Sequence, residues 1–516
     1  MNEFVAAHEA DVMGVLEGFD RVVFRGTLSS ISYPQGMGAF IGSRKVLYKD
    51  YGRFAQGLSE RLKAHAQETA RRQGRPLVYV ASPSASKERI ARQIAERDRI
   101  DEGLICVLSC VEPCRTISIR RDRRTRRLEL VSQERRCLHL YFYYQDREFG
   151  FMHVRLQTWL PMPIQVCING REYLARRMRQ ARIGHEQREN CFVRIDDLSR
   201  AQRLMDELES KRWPRVLDHF ARKTNPLLSR GSGLDLWGYY WTIRESEYAT
   251  DVMFKDAGRL KRIYPNLVDH AMKRLDSKDV MRFLGRRTNR RFNGEVTSDI
   301  QVRSEGMRIK HRVEENSIKM YDKQGSVLRI ETTINNPKRL KVWRSVRRRG
   351  RRQMRWVSMR KGVADTRRRV ASCRAANGRY LQALACASGS GPAQPVHRTL
   401  DRVSDRVQSK DRWYRALRPI APADASVLSA IASGAFVLSG FSNRDLRQRL
   451  GMTDPPDVRQ RRRQACRVSR RLTLLHAHGL IARIPQTRRW RVTWHGRQVI
   501  SVSQRVRDAD VTALTA

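Results

Sequence analysis

The stretch RLTLLHAHGLIARIPQTRRWRVTWHGRQVI, residues 471–500, decides how the last hundred residues fold. Apolar side chains at helical spacing predict two amphipathic helices, one over 445–450 and a second, arginine-rich one over 465–475. Gly479 ends the second helix, since glycine adopts the left-handed conformation of a helix stop. Residues 480–493 then alternate apolar and polar side chains around a turn, which predicts a β-hairpin tipped with arginines.

This order of helix, helix and arginine-rich hairpin resembles the winged helix-turn-helix of bacterial regulators and DNA-processing proteins. The resemblance implies a DNA-binding domain over 411–516, with the second helix in the major groove and the hairpin, or wing, on the backbone. The residues that it assigns to DNA contact are Arg467, Arg470 and Arg471 on the helix and Arg488, Arg489 and Arg491 on the wing. The alternative is that the same helix pair and hairpin serve protein contacts.

The charge of the chain points to a polyanionic partner. Its 516 residues carry 103 Lys plus Arg against 53 Asp plus Glu, a formal net charge of +50. A GC-rich genome would explain why only 17 of the basic residues are Lys, but it would not explain the excess over acids. Each phosphate that such a protein neutralises releases counterions, so we expect DNA, and RNA as an alternative, to bind.

The same composition argues against other classes of partner and compartment. We expect no membrane partner, because no apolar run approaches the roughly 18 residues of a spanning helix. We expect no signal peptide, and the nine scattered cysteines are typical of a reduced, cytoplasmic protein. A GxxxxGK[ST] loop is missing, so no nucleotide cofactor is expected.

Changes of pattern along the chain predict four segments. Residues 1–200 alternate strands and helices and predict an α/β domain with a mixed sheet, including a parallel strand pair and a hairpin. Residues 201–335 predict a helical region with a three-strand β-meander over 306–334. Residues 336–410 form an Arg-rich basic segment and linker, and 411–516 form the winged helix.

The basic segment is the most strongly charged part of the chain. From Lys338 to Arg379 there are 17 Lys or Arg against a single acid, Asp365. Two tryptophans, Trp343 and Trp356, are interleaved with them. The segment is therefore either a solvated linker with some helix or a nucleic-acid clamp that stacks Trp on bases and places Arg on phosphates. The arginines that we assign to the clamp are Arg347, Arg348 and Arg349.

The meander carries one candidate catalytic group. Lys319, Tyr321 and Lys323 alternate on one strand face, and Glu331 follows on the next strand. A tyrosine whose pKa is lowered by lysines, near a metal-holding carboxylate, could attack a phosphodiester. The stretch SIKMYDKQGSVLRIE resembles a strand pair of rolling-circle replication initiators and filamentous-phage nicking proteins. Their two-histidine motif is missing, since His139-Leu140-Tyr141 lacks the second histidine, and the alternative is an exposed strand face with a Tyr between cations.

A second candidate is a cluster of carboxylates for Mg²⁺. A very basic protein has reason to gather acids where it holds cations, as RNase H-like nucleases and transposases do. The candidate metal ligands are Asp20, Glu247, Asp251, Glu295 and Glu331. Each could instead cap a helix or pair with an arginine.

Cysteines offer a third candidate. Cys106, Cys110 and Cys114 stand four apart, and Cys137 with His139 could complete a zinc site. The spacing differs from that of a zinc knuckle, and we predict core thiols.

The residues together predict a nucleic-acid-binding protein that recognises and processes DNA for a mobile element, similar to a transposase or a replication initiator. A metal-dependent DNA endonuclease or transposase activity would fit that role. The alternatives are a non-enzymatic winged-helix regulator and an RNA-binding protein that holds a structured RNA.

Overall fold

The described part of the chain combines helices with a large mixed β-sheet, as the sequence predicted for its N-terminal segment. A computed structural model describes residues 3–234, 236, 238–286, 295–303, 306–348, 351–385, 396–409, 411–433, 436, 440–452, 455–484 and 487–508.

Helices and strands alternate along much of this chain. In chain order, the helices are α1 (Glu3–Ala7), α2 (Pro34–Gly42), α3 (Tyr51–Arg72), α4 (Lys87–Arg97), α5 (Gly170–Gln180), α6 (Leu198–Glu209), α7 (Trp213–Thr224), α8 (Ala257–Lys273), α9 (Ser277–Phe283), α10 (Thr366–Leu384), α11 (Val396–Ser404), α12 (Pro422–Ile431), α13 (Asn443–Arg449), α14 (Val458–Ala477) and α15 (Trp494–Asp508). The strands are β1 (Val12–Thr27), β2 (Leu77–Tyr79), β3 (Gly103–Arg121), β4 (Leu128–Asp146), β5 (Gly150–Gln157), β6 (Ile164–Asn169), β7 (His185–Arg188), β8 (Cys191–Ile195), β9 (Tyr240–Phe254), β10 (Val296–Arg303), β11 (Gly306–Val313), β12 (Asn316–Lys323), β13 (Val327–Ile334), β14 (Lys341–Arg348), β15 (Arg351–Ser358), β16 (Val407–Ser409), β17 (Arg412–Tyr414), β18 (Ile481–Arg483) and β19 (Trp490–Val492).

The chain divides into two compact units that interleave along the sequence. The first unit contains Leu16–Ala249 and Thr333–Cys373, and the second contains Met1–Val15, Thr250–Thr332 and Arg374–Ala516. The backbone passes from one unit to the other within β1, β9, β13 and α10.

The first unit is built on a sheet with the strand order β9-β1-β6-β5-β4-β3-β2. The pairings from β1 to β3 are antiparallel, and β2 pairs with β3 in parallel through the crossover helix α4. This confirms the predicted parallel pair and the predicted hairpin of β4 and β5. The main core, which includes Phe24, Phe142 and Trp213, packs α3, α5 and α7 against the sheet, and α4 covers a smaller core that includes Tyr143.

The second unit contains the strand order β10-β11-β12-β13-β9. The meander of β11, β12 and β13 confirms the prediction for 306–334. Ile318 and Met320 point from β12 into a core shared with α8 and α10. The predicted helices over 201–300 are present as α6 to α9, but Tyr240–Phe254 is a strand within that segment.

The two units repeat one topology. In each, a first strand is followed by helices and then by a run of four strands whose last member pairs with the first strand. A helix follows directly in the first series, whereas β14 and β15 precede the helix in the second. The series is β1, α2–α3, β3–β6 and α5 in the first unit, and β9, α8–α9, β10–β13 and α10 in the second. The first unit adds β2 and α4 before its four-strand run.

Residues 396–508 of the second unit have a separate core. Leu446 of α13 and Val468, Leu472 and Leu475 of α14 are buried in it with Val499 of α15. The antiparallel hairpin of β18 and β19 follows α14. Gly479 has φ of +71° directly after α14, as predicted for the helix stop.

Candidate nucleic-acid interface

The basic segment forms an antiparallel two-stranded ribbon, β14–β15, in the first unit. The register pairs Trp343 with Trp356 and Arg347 with Arg352. Because side chains alternate between the two sides of a strand, every second residue lies on one face. We call this set the ribbon face. Its members are Lys341, Trp343, Ser345, Arg347, Arg352, Met354, Trp356 and Ser358, all of them exposed.

The ribbon face presents apolar and cationic groups together. Trp343, Met354 and Trp356 are 50%, 50% and 65% exposed. The two indole rings lie with their centroids 5.6 Å apart at an interplanar angle of 53°. Proteins that bind single-stranded nucleic acids use exposed aromatic side chains to stack on bases and nearby arginines to contact phosphates.

The opposite face anchors the ribbon. Val342 is buried in the main core of the first unit. Arg344 and Arg368 each place a guanidinium nitrogen 3.1 Å from a carboxylate oxygen of Asp365, and the backbone N–H of Arg360 donates to the same carboxylate at 2.9 Å. Asp365, the single acid among residues 338–379, is thus buried beneath the ribbon. It leaves the ribbon face without a negative charge.

Part of this face was predicted from the sequence. Trp343, Trp356 and Arg347 lie on it, whereas Ser345, Arg352 and Met354 were missed. Two runs of strand length lie on either side of Gly350. Reading them as a β-hairpin would have placed these residues on one face. Arg348 ends β14, and Arg349 lies outside the described residues.

The second arginine-rich surface is formed by α14 and the hairpin β18–β19, in the second unit. Helix α14 begins after Asp457, whose side chain accepts hydrogen bonds from the first backbone N–H groups. Its apolar side packs on α13, and the amide of Asn443 donates to Ala465 O at 2.8 Å. Arg467 and Arg470 are exposed on the outer side of α14, and Arg471 is half-buried.

The predicted wing arginines differ in their surroundings. Arg488 and Arg491 are exposed. Arg489 is half-buried and donates to Asp445 Oδ2 and to Gly440 O, both at 2.9 Å. Asp445 also closes the capping box at the start of α13. Arg489 therefore ties the hairpin to α13.

The candidate nucleophile of the meander is enclosed. Tyr321 is 8% exposed, and the Lys323 ammonium lies 5.3 Å from the centre of its ring. Lys319 and Glu331 form a buried ion pair with 2.5 Å between Nζ and Oε1. Lys319 and Glu331 thus lie together on neighbouring strands, as predicted. The Glu331 carboxylate is paired with the Lys319 ammonium.

The other candidate carboxylates also have polar partners. Asp251 accepts two hydrogen bonds from Arg329, at 2.7 and 2.9 Å, and both residues are buried. Asp20 accepts from the amide of Asn190 at 2.8 and 2.9 Å. Glu247 lies 3.2 Å from the Arg21 guanidinium. Glu295 is exposed just before β10.

One group of three metal-ligating side chains lies close enough to share an ion in the described part of the chain, and it contains none of these carboxylates. It consists of Cys114, Cys137 and His139, whose ligand atoms lie within 4.8 Å of one another. The two Sγ atoms are 2.6 Å apart. Two thiols and an imidazole suit Zn²⁺ or Cu⁺ rather than Mg²⁺.

The three groups differ in how readily they lose a proton. Burial, together with the charge of Arg155, lowers the pKa of His139 to about 4, so the imidazole is neutral near pH 7. The hydrogen bond between the two thiols lowers the pKa of Cys114 and, together with burial, raises the pKa of Cys137, so Cys137 would lose its proton only on binding a metal. Cys106 and Cys110, in contrast, are fully buried core thiols as predicted.

The two arginine-rich surfaces belong to a chain in which no described helix has the length and apolar character needed to cross a membrane. Neither surface contains a group that identifies a family by itself. Comparison with protein-family models, with curated proteins and with solved structures found no match to this chain.

Proposed function

We propose that the protein binds nucleic acid, with DNA as its main partner, through the ribbon face and through the C-terminal helices and hairpin. The observation that carries the proposal is the ribbon face itself, where two exposed tryptophans stand among arginines and Asp365, the single acid of residues 338–379, is buried. Stacking of a base on an aromatic side chain contributes about 1–3 kcal/mol. Arginines supply the phosphate contacts beside it.

We further propose that residues 411–516 act as a winged helix-turn-helix. Helix α14 would enter the major groove with Arg467 and Arg470, and Arg488 and Arg491 would contact the backbone. Arg489 is omitted from this set because its guanidinium is bonded to Asp445. The net charge of +50 supports a polyanionic partner for both surfaces.

The proposed activity is binding rather than strand cleavage. A nicking tyrosine must reach a phosphodiester, and Tyr321 is buried beside Lys323. A Mg²⁺ site needs carboxylates that can turn to the ion, and Asp251 and Glu331 each hold a buried cation. Incubation with Mg²⁺ or Mn²⁺ and single- or double-stranded DNA is expected to give neither a covalent adduct nor a strand break. Either product would show that this chain cuts DNA.

The test of binding is fluorescence anisotropy with labelled single-stranded DNA, duplex DNA and single-stranded RNA. Replacing Trp343 and Trp356 together by alanine should weaken single-strand binding at least about tenfold. Tyr79→Ala is the matched control, because Tyr79 is an aromatic residue that is also exposed, at 58%, and lies on β2, outside both surfaces. Equal losses in the control and the double variant would exclude the ribbon face as the interface.

The charge contribution is tested on the two faces of the same ribbon. Arg347→Ser with Arg352→Ser removes two charges from the ribbon face, and Arg351→Ser with Arg355→Ser removes two exposed arginines from the other face. The first pair should weaken binding more than the second. The affinity of the unmodified protein should also fall steeply with salt, and equal binding at low salt and at roughly 0.5 M would contradict the proposal.

A further inference from the structure

A small cavity in the first unit gathers arginines and hydroxyl groups. Its volume is about 60 Å³. The residues that matter are Arg25 and Thr27 of β1, Arg115 of β3 and Ser132 of β4. Arg25, Arg115 and Ser132 are exposed, so the cavity is open to solvent. Pro161 and Pro163, in the connection between β5 and β6, form part of the wall. Among the described residues that line the cavity, none is acidic.

The charge in this cavity is uncompensated within the described structure. Arg21 and Arg25 lie four residues apart on the same face of β1, but only Arg21 has carboxylate partners, Glu245 and Glu247. Arg25 and Arg115 form no ion pair with any described acid. Burial and the nearby charges of Arg244, Arg155 and Arg115 lower the pKa of Arg25. Like charges are thus held together on the sheet, which an anion would stabilise.

The hydrogen-bonding groups are arranged to receive such an anion. Arg115 Nε donates to Ser132 Oγ at 2.8 Å. Because Ser132 accepts that bond, its own hydroxyl proton is available to a ligand. The terminal nitrogens of Arg115, the guanidinium of Arg25 and the hydroxyl of Thr27 add further donors. Arginine forks match the oxygens of a phosphate.

The size of the cavity admits a small anion. A cavity holds a water molecule once about 10–15 Å³ is open to the centre of a water-sized sphere, and this cavity exceeds that several times. The space is therefore enough for one tetrahedral oxyanion.

We propose that this pocket, formed by Arg25, Thr27, Arg115 and Ser132, binds one phosphate group, and that in the nucleic-acid complex this group is the terminal phosphate monoester of a strand. A terminal monoester has one ester link and offers three oxygens to these donors, whereas an internal phosphodiester offers only two. Its two negative charges at neutral pH match the two guanidinium groups. The part about a strand end rests on the proposed function, and phosphate binding itself does not.

The first experiment uses inorganic phosphate alone with the full-length protein in isothermal titration calorimetry. Saturable binding is expected. Arg25→Gln and Arg115→Gln should each weaken it at least about tenfold. Arg53→Gln, at an exposed position on α3, is the matched control and should bind as the unmodified protein does. Absence of saturable heat, or equal affinity in all three variants, would overturn the pocket.

A conservative variant guards against misfolding. Arg25→Lys keeps the positive charge but loses the two-pronged donor geometry, so we expect affinity between that of the unmodified protein and Arg25→Gln. Unchanged thermal unfolding of Arg25→Gln would show that its loss of binding is local. If Arg25→Gln is unfolded, the phosphate affinities of Arg25→Lys and Arg115→Gln test the pocket instead. Both should be weaker than that of the unmodified protein.

The second experiment compares 5′-phosphorylated, 3′-phosphorylated and unphosphorylated oligonucleotides of one sequence by anisotropy. One terminal phosphate should strengthen binding, and the gain should vanish in Arg25→Gln. If inorganic phosphate binds but no terminal phosphate strengthens oligonucleotide binding, the strand-end assignment is wrong. If inorganic phosphate binds and no oligonucleotide does, the proposed nucleic-acid function fails while the pocket stands.

Discussion

Lys319 and Glu331 face each other on β12 and β13 with 2.5 Å between Nζ and Oε1, and both side chains are almost completely buried. Removing one partner of a buried pair leaves an uncompensated charge, which costs about 3–5 kcal/mol. Lys319→Met and Glu331→Leu should therefore each lower the free energy of unfolding by about that amount. The double variant should lie closer to the unmodified protein, because neither charge remains.

Urea unfolding of all four proteins, followed by circular dichroism, measures this. Additive losses in the double variant would mean that the two side chains act independently. If Lys319→Met instead left stability unchanged and abolished a DNA adduct, the lysine would serve catalysis.

The exposed arginines of α14 should control sequence preference. Arg467→Ala with Arg470→Ala should reduce the difference in affinity between a specific and a random duplex by about 1–3 kcal/mol, because base-edge contacts are lost. Arg402→Ala with Arg406→Ala, two exposed arginines before β16, provides a control with the same loss of charge. The specific site would first be selected from random duplexes. Identical selected sequences for the unmodified protein and for a protein lacking 411–516 would show that the C-terminal part does not read DNA.

Acid should destabilise the protein as the pH falls below about 6.5, the usual pKa of histidine. His311 is buried between Ser298 and Tyr380, at 2.7 and 3.0 Å, and burial lowers its pKa to about 4. The unfolded chain binds the proton from about pH 6.5 downward, whereas the folded chain binds it only near pH 4. The stability that comes from the neutral imidazole is thus present above pH 6.5 and is lost as pH falls toward 4.

Between these two pH values, each such histidine lowers the free energy of unfolding by about 1.4 kcal/mol for every unit by which the pH falls. Burial lowers the pKa of His139 in the first unit in the same way, to about 4. Denaturant unfolding at several pH values from 7 to 4 gives the slope of the free energy of unfolding against pH. This slope should be smaller in His311→Gln than in the unmodified protein. A slope that is the same in this variant would contradict the buried, neutral state of His311.

The thiol group should respond to soft metals. Zn²⁺ is expected to slow alkylation of Cys114 and Cys137, and Mg²⁺ is expected to leave the rate unchanged. Exposed Cys466 is an internal control, because it should react at the same rate in every sample. Mass spectrometry of peptides after alkylation distinguishes the sites. Equal protection of Cys466, or no protection of Cys114 and Cys137 by Zn²⁺, would count against a metal centre.

Regular apolar patterns made much of the fold predictable. The parallel pair of β2 and β3 and the meander of β11 to β13 follow from buried strands whose neighbours are close in sequence. Strand β14 was missed because arginines occupy the positions where apolar residues would show a period of two. Tyr240–Phe254 was placed in a helical region, although every residue from Tyr248 to Phe254 is buried as in a central strand.

The candidate sites were less predictable because they depend on register and on distant partners. Arg489 looked like a phosphate ligand until the structure placed Asp445, 44 residues earlier, beside it. The pocket of Arg25 and Arg115 joins β1 to the far half of β3, which no local pattern reveals. The charge excess indicated a polyanionic partner. It could not distinguish arginines that form ion pairs within the fold from arginines that could bind a ligand.

Asp365 gives the basic segment an uneven tolerance to mutation. Many single substitutions on the ribbon face would leave its remaining arginines and tryptophans in place, so random mutagenesis should recover folded variants there readily. Replacing Asp365 by any neutral residue would leave half-buried Arg344 without this carboxylate partner. The backbone N–H of Arg360 would lose its acceptor as well. In a deep mutational scan selected for folding, residues 338–379 should therefore show their sharpest constraint at their only carboxylate.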